Sequence, residues 1–477
     1  MLSVTLDRSA PEPLVRQIYR HVRELILTRR LPPGARLPST RKLARDLEVS
    51  RTVAVDAFAQ LAAEGFLEPA VGSGHFVAAL PLARGEPHQP AAGAEARDDQ
   101  ASIWEASGRP FDPAWQNVGL FSSQQWARML ARGWRRHGAA SVERHWGGIP
   151  ALREAIAEHL HALRGMSLGS DQVIITSGNA EILALIARAL RRDRRPISAW
   201  VEDPGLGSSR DVLRREGVNL VPVPVDSEGL VVAEGVRLAP DAAMALVTPT
   251  RQFPLGMPLS LSRRLSLLAW SRGTGAVLLD DDYDGEIRFA GRPLPSLASL
   301  DPGAPVLTLG SFSKLTFSGL RLGYAAGPAD LVGRLIEARR ESYVMVPTSS
   351  QAALAEFVVT GGFARHLRKL RTELTRRRRT LHQLLTRHAA DLLHILPQQA
   401  GMHLTVQLTA RLANRVTDVE IAQRGRTRGV VLLPLSQQYA SGRGEQGFLL
   451  GYAGWSERQL EAAVETLVRL LCQTAAL

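Results

Sequence analysis

The sequence predicts a multidomain chain: a small N-terminal α+β module, then a larger α/β domain with a mainly parallel sheet and a smaller C-terminal α+β subdomain. Three observations carry that prediction. The chain has 477 residues, more than one ordinary domain needs, and 45% of them are hydrophobic, enough to bury a large core. From about Ala101 onward, short β-branched runs alternate with helical patterns, as in a parallel sheet covered on both faces. Between the two parts, residues from Pro81 to about Gln100 are rich in Ala, Pro, Gly and charge, with no apolar period, as in a linker.

At the N-terminus, Leu14, Ile18, Val22, Leu25 and Ile26 recur at spacings of three and four, one face of an amphipathic helix. Leu-Pro-Pro-Gly (31–34) breaks it. Ser39 is placed to cap a short helix ending near Leu47, with Leu43, Ala44 and Leu47 on its inner face. After the turn Leu-Glu-Val-Ser (47–50), Ser50 caps a further helix with Val53, Ala57, Phe58 and Leu61 inside. Residues 66–78 then read as a hairpin around Gly-Ser-Gly (72–74). Two short helices around a tight turn can place the start of the second in a DNA major groove. Here that start is Ser50, Arg51 and Thr52. Arg51 can give two parallel hydrogen bonds to a guanine edge, and the two hydroxyls can reach phosphates or bases. The hairpin tip, with Gly74 and His75, suits the adjacent backbone or minor groove.

Further along, Gln-Val-Ile-Ile-Thr (172–176), Met-Ala-Leu-Val-Thr (244–248), Ala-Val-Leu-Leu-Asp (276–280) and Pro-Val-Leu-Thr-Leu (305–309) each fit a buried strand. After about Gly361 a long basic helix is expected. Met-His-Leu-Thr-Val (402–406), Gly-Val-Val-Leu-Leu (429–433) and Phe-Leu-Leu-Gly-Tyr (448–452) are read as strands of the smaller subdomain, about 361–477.

Composition narrows the classes of function. A net charge of +12 favours an anionic partner such as nucleic acid, although the run Arg376 to Arg379 reads first as a solvated helix face or subunit contact. No run of about 18 apolar residues is present, so no membrane span is expected, and the first residues lack the pattern of a secretory signal. The single cysteine, Cys472, has no internal partner, which fits a reducing interior; the expected location is the cytoplasm. No metal site is expected.

Several motifs of the larger part converge on one chemistry. Gly-Ser-Phe-Ser-Lys (310–314) ends a strand and leads through a small-residue turn to Gly-Leu-Arg-Leu-Gly-Tyr (319–324); Asp-Asp-Asp-Tyr-Asp (280–284) follows another strand; Thr-Ser-Gly-Asn-Ala (176–180) opens a helix beginning near Glu181. Pyridoxal 5′-phosphate (PLP) asks a protein for a lysine amine, an acid for the pyridine nitrogen, a partner for the phenolic oxygen and a phosphate cradle. Lys314 supplies the Schiff-base amine, Asp281 the acid and Tyr283 the phenolic partner. Ser311 and Arg321, with Ser313 as a further candidate, reach the phosphate. Backbone N–H groups of Gly178, Asn179 and Ala180 form an anion site at a helix start.

Two resemblances follow from these motifs. Residues 32–52, with Leu-Ala-Ala-Glu-Gly-Phe-Leu-Glu-Pro (61–69) and Gly-Ser-Gly-His-Phe-Val (72–77), resemble the GntR-type winged helix-turn-helix over about the first 80 residues. That resemblance implies Arg41, Arg51, Thr52 and the Gly74 region as DNA contacts. Val53 stands where many relatives have threonine. Residues from about 110 resemble the fold-type I aminotransferases. Thr-Pro-Thr-Arg-Gln-Phe-Pro-Leu-Gly (248–256), residues 279–289 and the order of domains are similar to the MocR subfamily of GntR-type regulators. The implied boundaries are a DNA-binding domain at 1–80, a flexible linker at 81–110 and a PLP-binding effector domain at 111–477. The implied assembly is a head-to-tail homodimer.

Three departures from a working aminotransferase bear on mechanism. Leu206 follows Glu-Asp-Pro-Gly (202–205), where an aromatic residue often stacks on the cofactor. Glu143 stands where a tyrosine usually reaches the partner subunit's phosphate. Leu449 stands where an arginine would clamp a substrate carboxylate, and its loss removes a charge-assisted pair. The expected function is therefore a transcription regulator that binds an operator in double-stranded DNA and senses PLP, or a small amine reacting with it. On this reading the aminotransferase-like domain is a sensor, and a residual transaminase half-reaction stays open. The alternative is a PLP-dependent aminotransferase with an accessory DNA-binding module.

Overall fold

The structure, a computed structural model, describes residues 6–70, 74–79, 108–115, 118–137, 144–191, 196–289, 294–442 and 444–476. Gly72 and Ser73 of the hairpin tip, most of the expected linker and Glu143 lie outside them. The chain divides into two compact units, Met1–Arg97 and Asp98–Leu477.

The first unit holds helices α1 (Leu14–Leu27), α2 (Thr40–Asp46) and α3 (Arg51–Ala63) and the antiparallel hairpin β1 (Leu67–Ala70) and β2 (Gly74–Val77). Both predicted caps are made: Ser39 Oγ accepts from the Lys42 N–H at 3.2 Å and Ser50 Oγ from that of Val53 at 3.4 Å. Ile18, Val22, Leu43, Phe58 and Leu61 meet in one core with Leu67 and Val77 of the hairpin. Each such burial contributes about 1.5–3 kcal/mol. The bridge of Arg36 to Phe76 adds a third edge to the hairpin. The turn between α2 and α3 places Glu48 at φ 52, and Arg8 Nη2 donates to the carbonyls of Leu47 and Glu48 there, at 3.3 and 2.9 Å. Those carbonyls are the acceptors that a helix end leaves open.

The second unit is built on eight strands: β3 (Val173–Thr176), β4 (Ser198–Asp203), β5 (Asn219–Asp226), β6 (Gly229–Leu230), β7 (Met244–Val247), β8 (Val277–Asp281), β9 (Val306–Ser311) and β10 (Gly323–Ala326). Their order across the sheet is β3-β10-β9-β8-β7-β4-β5-β6. The neighbours from β9 to β5 run parallel, β10 is antiparallel to both β3 and β9, and β6 is antiparallel to β5. Burial on both faces explains why β3, β7, β8 and β9 read as unbroken apolar runs. β4, β5 and β10 escaped the sequence reading. β5 carries Pro222 and Pro224 and is partly exposed, and β10 is only Gly-Tyr-Ala-Ala.

Register decides where chemistry can gather. Gly323 of β10 pairs with Thr176 on one side and Ser311 on the other, and Asp281 of β8 pairs with Leu309. The ends of β3, β8 and β9 and the loop entering β10 thus meet at the carboxyl edge, where open α/β sheets bind ligands.

The C-terminal part begins with the 28-residue helix Gly362–Ala389 and adds an antiparallel sheet of β11 (Leu393–Ile395), β12 (His403–Leu408), β13 (Leu433–Pro434) and β14 (Gly447–Gly451), in the order β11-β12-β14-β13. The strand expected over 429–433 shrinks to the two residues of β13. The arginine run is also more than a solvated face. Arg377 is buried, pairing with Glu373 at 2.8 Å and donating to the Ala453 carbonyl, while Arg378 donates to the carbonyl of Gln398. Among the described residues no helix is long and apolar enough to cross a membrane.

Candidate functional site

At the carboxyl edge of the large sheet, the helix Asn179–Leu190 starts two residues earlier than the sequence suggested. Its N-cap, Gly178, has φ 128, a conformation that side chains rarely adopt. Asn179 and Ala180 are therefore first-turn residues, whose N–H groups have no acceptor within the helix. Glu181 fixes the approach to it: Oε2 accepts the Ser177 N–H at 2.6 Å and its hydroxyl at 2.9 Å, and Oε1 accepts from Arg339 Nε at 2.9 Å. Arg321, exposed and at φ 49, brings its guanidinium to this helix start; a methyl built on Gly178 would stand 3.6 Å from Nη2. A partial positive helix end and a cation thus share one spot. Ser311 ends β9 beside it. The Ser313 hydroxyl is engaged instead with both backbone groups of Leu322, at 3.1 and 3.4 Å, so it braces the turn that carries Arg321.

The acidic run after β8 separates into distinct jobs. Asp280 accepts the Leu297 N–H at 3.2 Å, Asp282 pairs with Arg164, and Asp284 pairs with Arg251 at 3.0 Å. Asp281 accepts one side-chain hydrogen bond among the described residues, from Asn179 Nδ2 at 2.8 Å. Burial pushes its carboxyl up to about 6, while the charge of Lys314 draws it back. Lys314 stands on the short helix Phe312–Leu315, with Nζ over the Tyr283 ring at 4.5 Å from its centroid. Thr176 Oγ1 and Asn179 Oδ1 are buried with no partner among the described residues. A ring with one N–H, a phosphate and an aldehyde fits these groups.

Sequence reasoning missed Arg251. Its guanidinium is buried, and Nη1 donates to Tyr283 Oη at 2.6 Å as well as to Asp284. Nη2 donates to Gln398 Oε1 at 3.0 Å and meets His403 Nε2 at 3.1 Å. One residue of the β7 loop thus joins the Tyr283 loop to the C-terminal subdomain. Burial, with the nearby charges of Arg251 and Lys314, holds the His403 pKa well below its ordinary value. Arg251 stands in the motif used for the family resemblance, yet nothing in its spacing indicated a partner. Of the departures noted earlier, Leu449 is buried against Tyr283, Phe253, Leu433 and Leu435, with Leu206 at the margin of the same cluster.

Glu202, at the end of β4, makes the site sensitive to pH. Burial pushes its carboxyl up to about 7, against the pull of the Thr248 hydroxyl, which donates to Oε2 at 2.5 Å. The folded chain therefore keeps protons on Glu202 and Asp281 that unfolded carboxyls, with ordinary values of 4.5 and 3.8, have released. That contribution to stability is present at low pH and lost as pH rises through about 6 to 7. In cofactor-free protein, Glu202→Gln is expected to flatten the fall in melting temperature between about pH 5 and pH 8. Melting curves with the wild-type slope in the variant would contradict this assignment.

In the first unit, Arg41, Ser50, Arg51 and Thr52 are exposed at the starts of α2 and α3, as expected, with Lys42 and Arg45 exposed nearby. The His75 ring packs edge-on against Phe58, at 5.2 Å between centroids, and is half-buried, whereas Gly74 is exposed at φ 101.

Comparison with known proteins agrees with both halves. Residues 14–77 match the family of bacterial regulatory proteins, gntR family, and residues 125–467 match aminotransferase class I and II. The chain is 35% identical to the probable rhizopine catabolism regulatory protein MocR of Rhizobium meliloti, over 97% of this chain and 95% of that one. It is 29% identical to the HTH-type pyridoxine biosynthesis transcriptional regulator PdxR of Corynebacterium glutamicum, over 96% of each. Among solved structures, the multiple substrate aminotransferase of Thermococcus profundus superposes with a TM-score of 0.70 at 19% identity, over 80% of this chain and 95% of that one. The α-aminoadipate aminotransferase LysN of Thermus thermophilus gives 0.69 at 23%, over 79% and 97%. These likenesses establish a fold-type I architecture. A DNA-binding module joined to a PLP-binding, aminotransferase-like domain defines a class of transcription regulator. The chain belongs to the MocR subfamily of GntR-type transcription regulators.

Proposed function

We propose that this regulator senses PLP, or a small amine that reacts with it, through Lys314, and that occupancy of this site changes how its helix-turn-helix grips an operator. The observation that carries the proposal is the Lys314 amine poised over Tyr283, in a chain whose DNA-reading helix is intact. The name of PdxR, a regulator of pyridoxine biosynthesis, supports PLP as a signal.

PLP bound here supplies an aldehyde that condenses with amines. Asp281 would take the N–H of the cofactor's ring. Tyr283, already accepting from Arg251, has its own hydroxyl proton to give and would hold the phenolic oxygen. Arg321, the Ser311 hydroxyl and the N–H groups of Gly178, Asn179 and Ala180 would hold the phosphate, while Ser313 steadies their turn. The buried Leu449 counts against efficient transamination, because no arginine is present there to orient a carboxylate. A slow half-reaction is compatible with the site.

We assign the domains to 1–80, 81–110 and 111–477 and the assembly to a head-to-tail homodimer in the cytoplasm. Tyr343, Val344 and Met345 are successive exposed apolar residues, which suits a subunit contact. On DNA, Arg51 reads base edges, Thr52 and Arg41 hold phosphates, Ser50 fixes the helix start, and Gly74 and His75 bring the hairpin to the backbone. Arg51→Ala is expected to lose about 1–3 kcal/mol of specific binding and to relax base preference. Arg41→Ala is expected to weaken all sequences alike and reduce the salt slope by about one. Anisotropy titrations on matched and mismatched sites check both. Full base preference in the Arg51→Ala protein would place the reading helix elsewhere.

A further inference from the structure

The residues around Tyr283 say which amines this site admits. Tyr283 lies under the Lys314 amine, and the cluster packed with it is largely apolar: Phe253, Leu433, Leu435 and Leu449 are buried, with Leu206, Leu255 and Tyr439 at the margin. The cationic groups that the structure places beside this wall are already committed. Arg251 gives Nη1 to Tyr283 and Asp284 and Nη2 to Gln398 and His403, which among the described residues leaves only Nε–H without a partner. Gly401 packs against this guanidinium, since a side-chain carbon there would stand 2.6 Å from both Nε and Nη1. Arg210 donates to the Gln438 carbonyl at 2.6 Å and stands 3.9 Å from Asp203. His403 is buried, meets Arg251 Nη2 at 3.1 Å, and has its pKa held well below the ordinary value by burial and by its cationic neighbours. The other charges at the site are the acids Asp281 and Asp284 and the cations Lys314 and Arg321, which the aldehyde and phosphate of the cofactor would take up.

A carboxylate carried next to the incoming amine would have to be buried against leucine and phenylalanine, with no uncommitted cation in that wall among the described residues. Such a charge is disfavoured far more strongly than an alkyl group is favoured. We infer that the effector amine of this site is a primary amine with an alkyl body and no carboxylate on the amine-bearing carbon. The inference rests on PLP being held at Lys314, and it names the class of amine that displaces that lysine. The exchange needs no further reactant. The incoming nitrogen bonds to the cofactor's aldehyde carbon, the bond from that carbon to Lys314 Nζ breaks, and the two protons lost by the incoming amine return to Nζ.

The test uses a matched pair, butylamine and L-norvaline, which differ only by the α-carboxylate. The full chain is loaded with PLP until its visible lysine-bound band appears, and each compound is then titrated for loss of the borohydride-trapped adduct on Lys314, compared on the concentration of unprotonated amine. Butylamine is expected to act at a concentration at least about tenfold lower than norvaline. Equal potency, or a preference for norvaline, overturns the inference. Leu449→Arg supplies the missing cation, and in a variant that still takes up PLP the preference is expected to move toward norvaline. A PLP-loaded variant with an unmoved ratio overturns the placement of Leu449 at the amine. Should Leu449→Arg fail to load, the wild-type ratio decides. A wild-type chain that never develops the band removes Lys314 as the site of capture, and the inference with it, which separates that failure from a wrong class of amine.

Discussion

Lys314→Ala protein is expected to keep its fold and to lose covalent capture of PLP completely. Lys314 is half-buried on a four-residue helix, and its amine contacts the Tyr283 face without bracing the sheet, so its removal leaves the strands β8 and β9 supported. The chain makes the test clean because it contains only three lysines, Lys42, Lys314 and Lys369. After incubation with PLP and reduction with borohydride, peptide mass spectrometry is expected to find the adduct on Lys314 alone. Lys42 and Lys369 are exposed and lack the neighbouring Asp281, Tyr283 and Arg321. An adduct on either of them, or a variant that still traps the cofactor, contradicts the assignment.

Replacement of Arg251 carries the second large effect. Arg251→Leu removes the cation from a buried pair and strands Asp284, so the cost is expected to be about 3–5 kcal/mol of stability. Tyr283 also loses its donor, and Gln398 and His403 lose theirs, so the C-terminal subdomain is released from the β7 loop. Burial already pushes the Asp284 carboxyl up, and Arg251 pulls it down. Without Arg251 the acid escapes by binding a proton. The loss measured by urea unfolding should therefore be larger at pH 8 than near pH 5, since the stranded charge exists only above the raised pKa. Asp284→Asn in the Arg251→Leu background is expected to recover part of the loss. No recovery would mean that the stranded charge is not the cause.

Much of this architecture was legible in the sequence, for identifiable reasons. Ser39 and Ser50 cap helices because a short hydroxyl before an apolar period has few other uses, and both caps are present. β3, β7, β8 and β9 were readable because strands buried on both faces carry unbroken apolar runs. β5 was not, since two prolines argue against a strand that lies near the sheet edge. Motif order identified Lys314, Asp281 and Tyr283 as a group, and register brings their strands together. What sequence could not supply was pairing at long range. Asp280, Asp281, Asp282 and Asp284 look alike in a row, yet they meet Leu297, Asn179, Arg164 and Arg251. Arg251 and His403 are 152 positions apart, and no local pattern links them. Spacing likewise gave no sign that the Ser313 hydroxyl meets the Leu322 backbone, which only the folded turn reveals.

A ligand changes a regulator only by binding two of its arrangements unequally, and couplings of this kind are usually worth about 5–150-fold in affinity. The decisive measurement is therefore the affinity of the full chain for DNA from upstream of its own coding region, by fluorescence anisotropy at fixed salt, with and without PLP. The wild type is expected to show a shift of that order. Lys314→Ala protein should bind the same DNA with an affinity that PLP leaves unchanged. Identical wild-type curves in the two conditions, or an equal shift in the variant, would contradict a link between Lys314 and the grip on the operator.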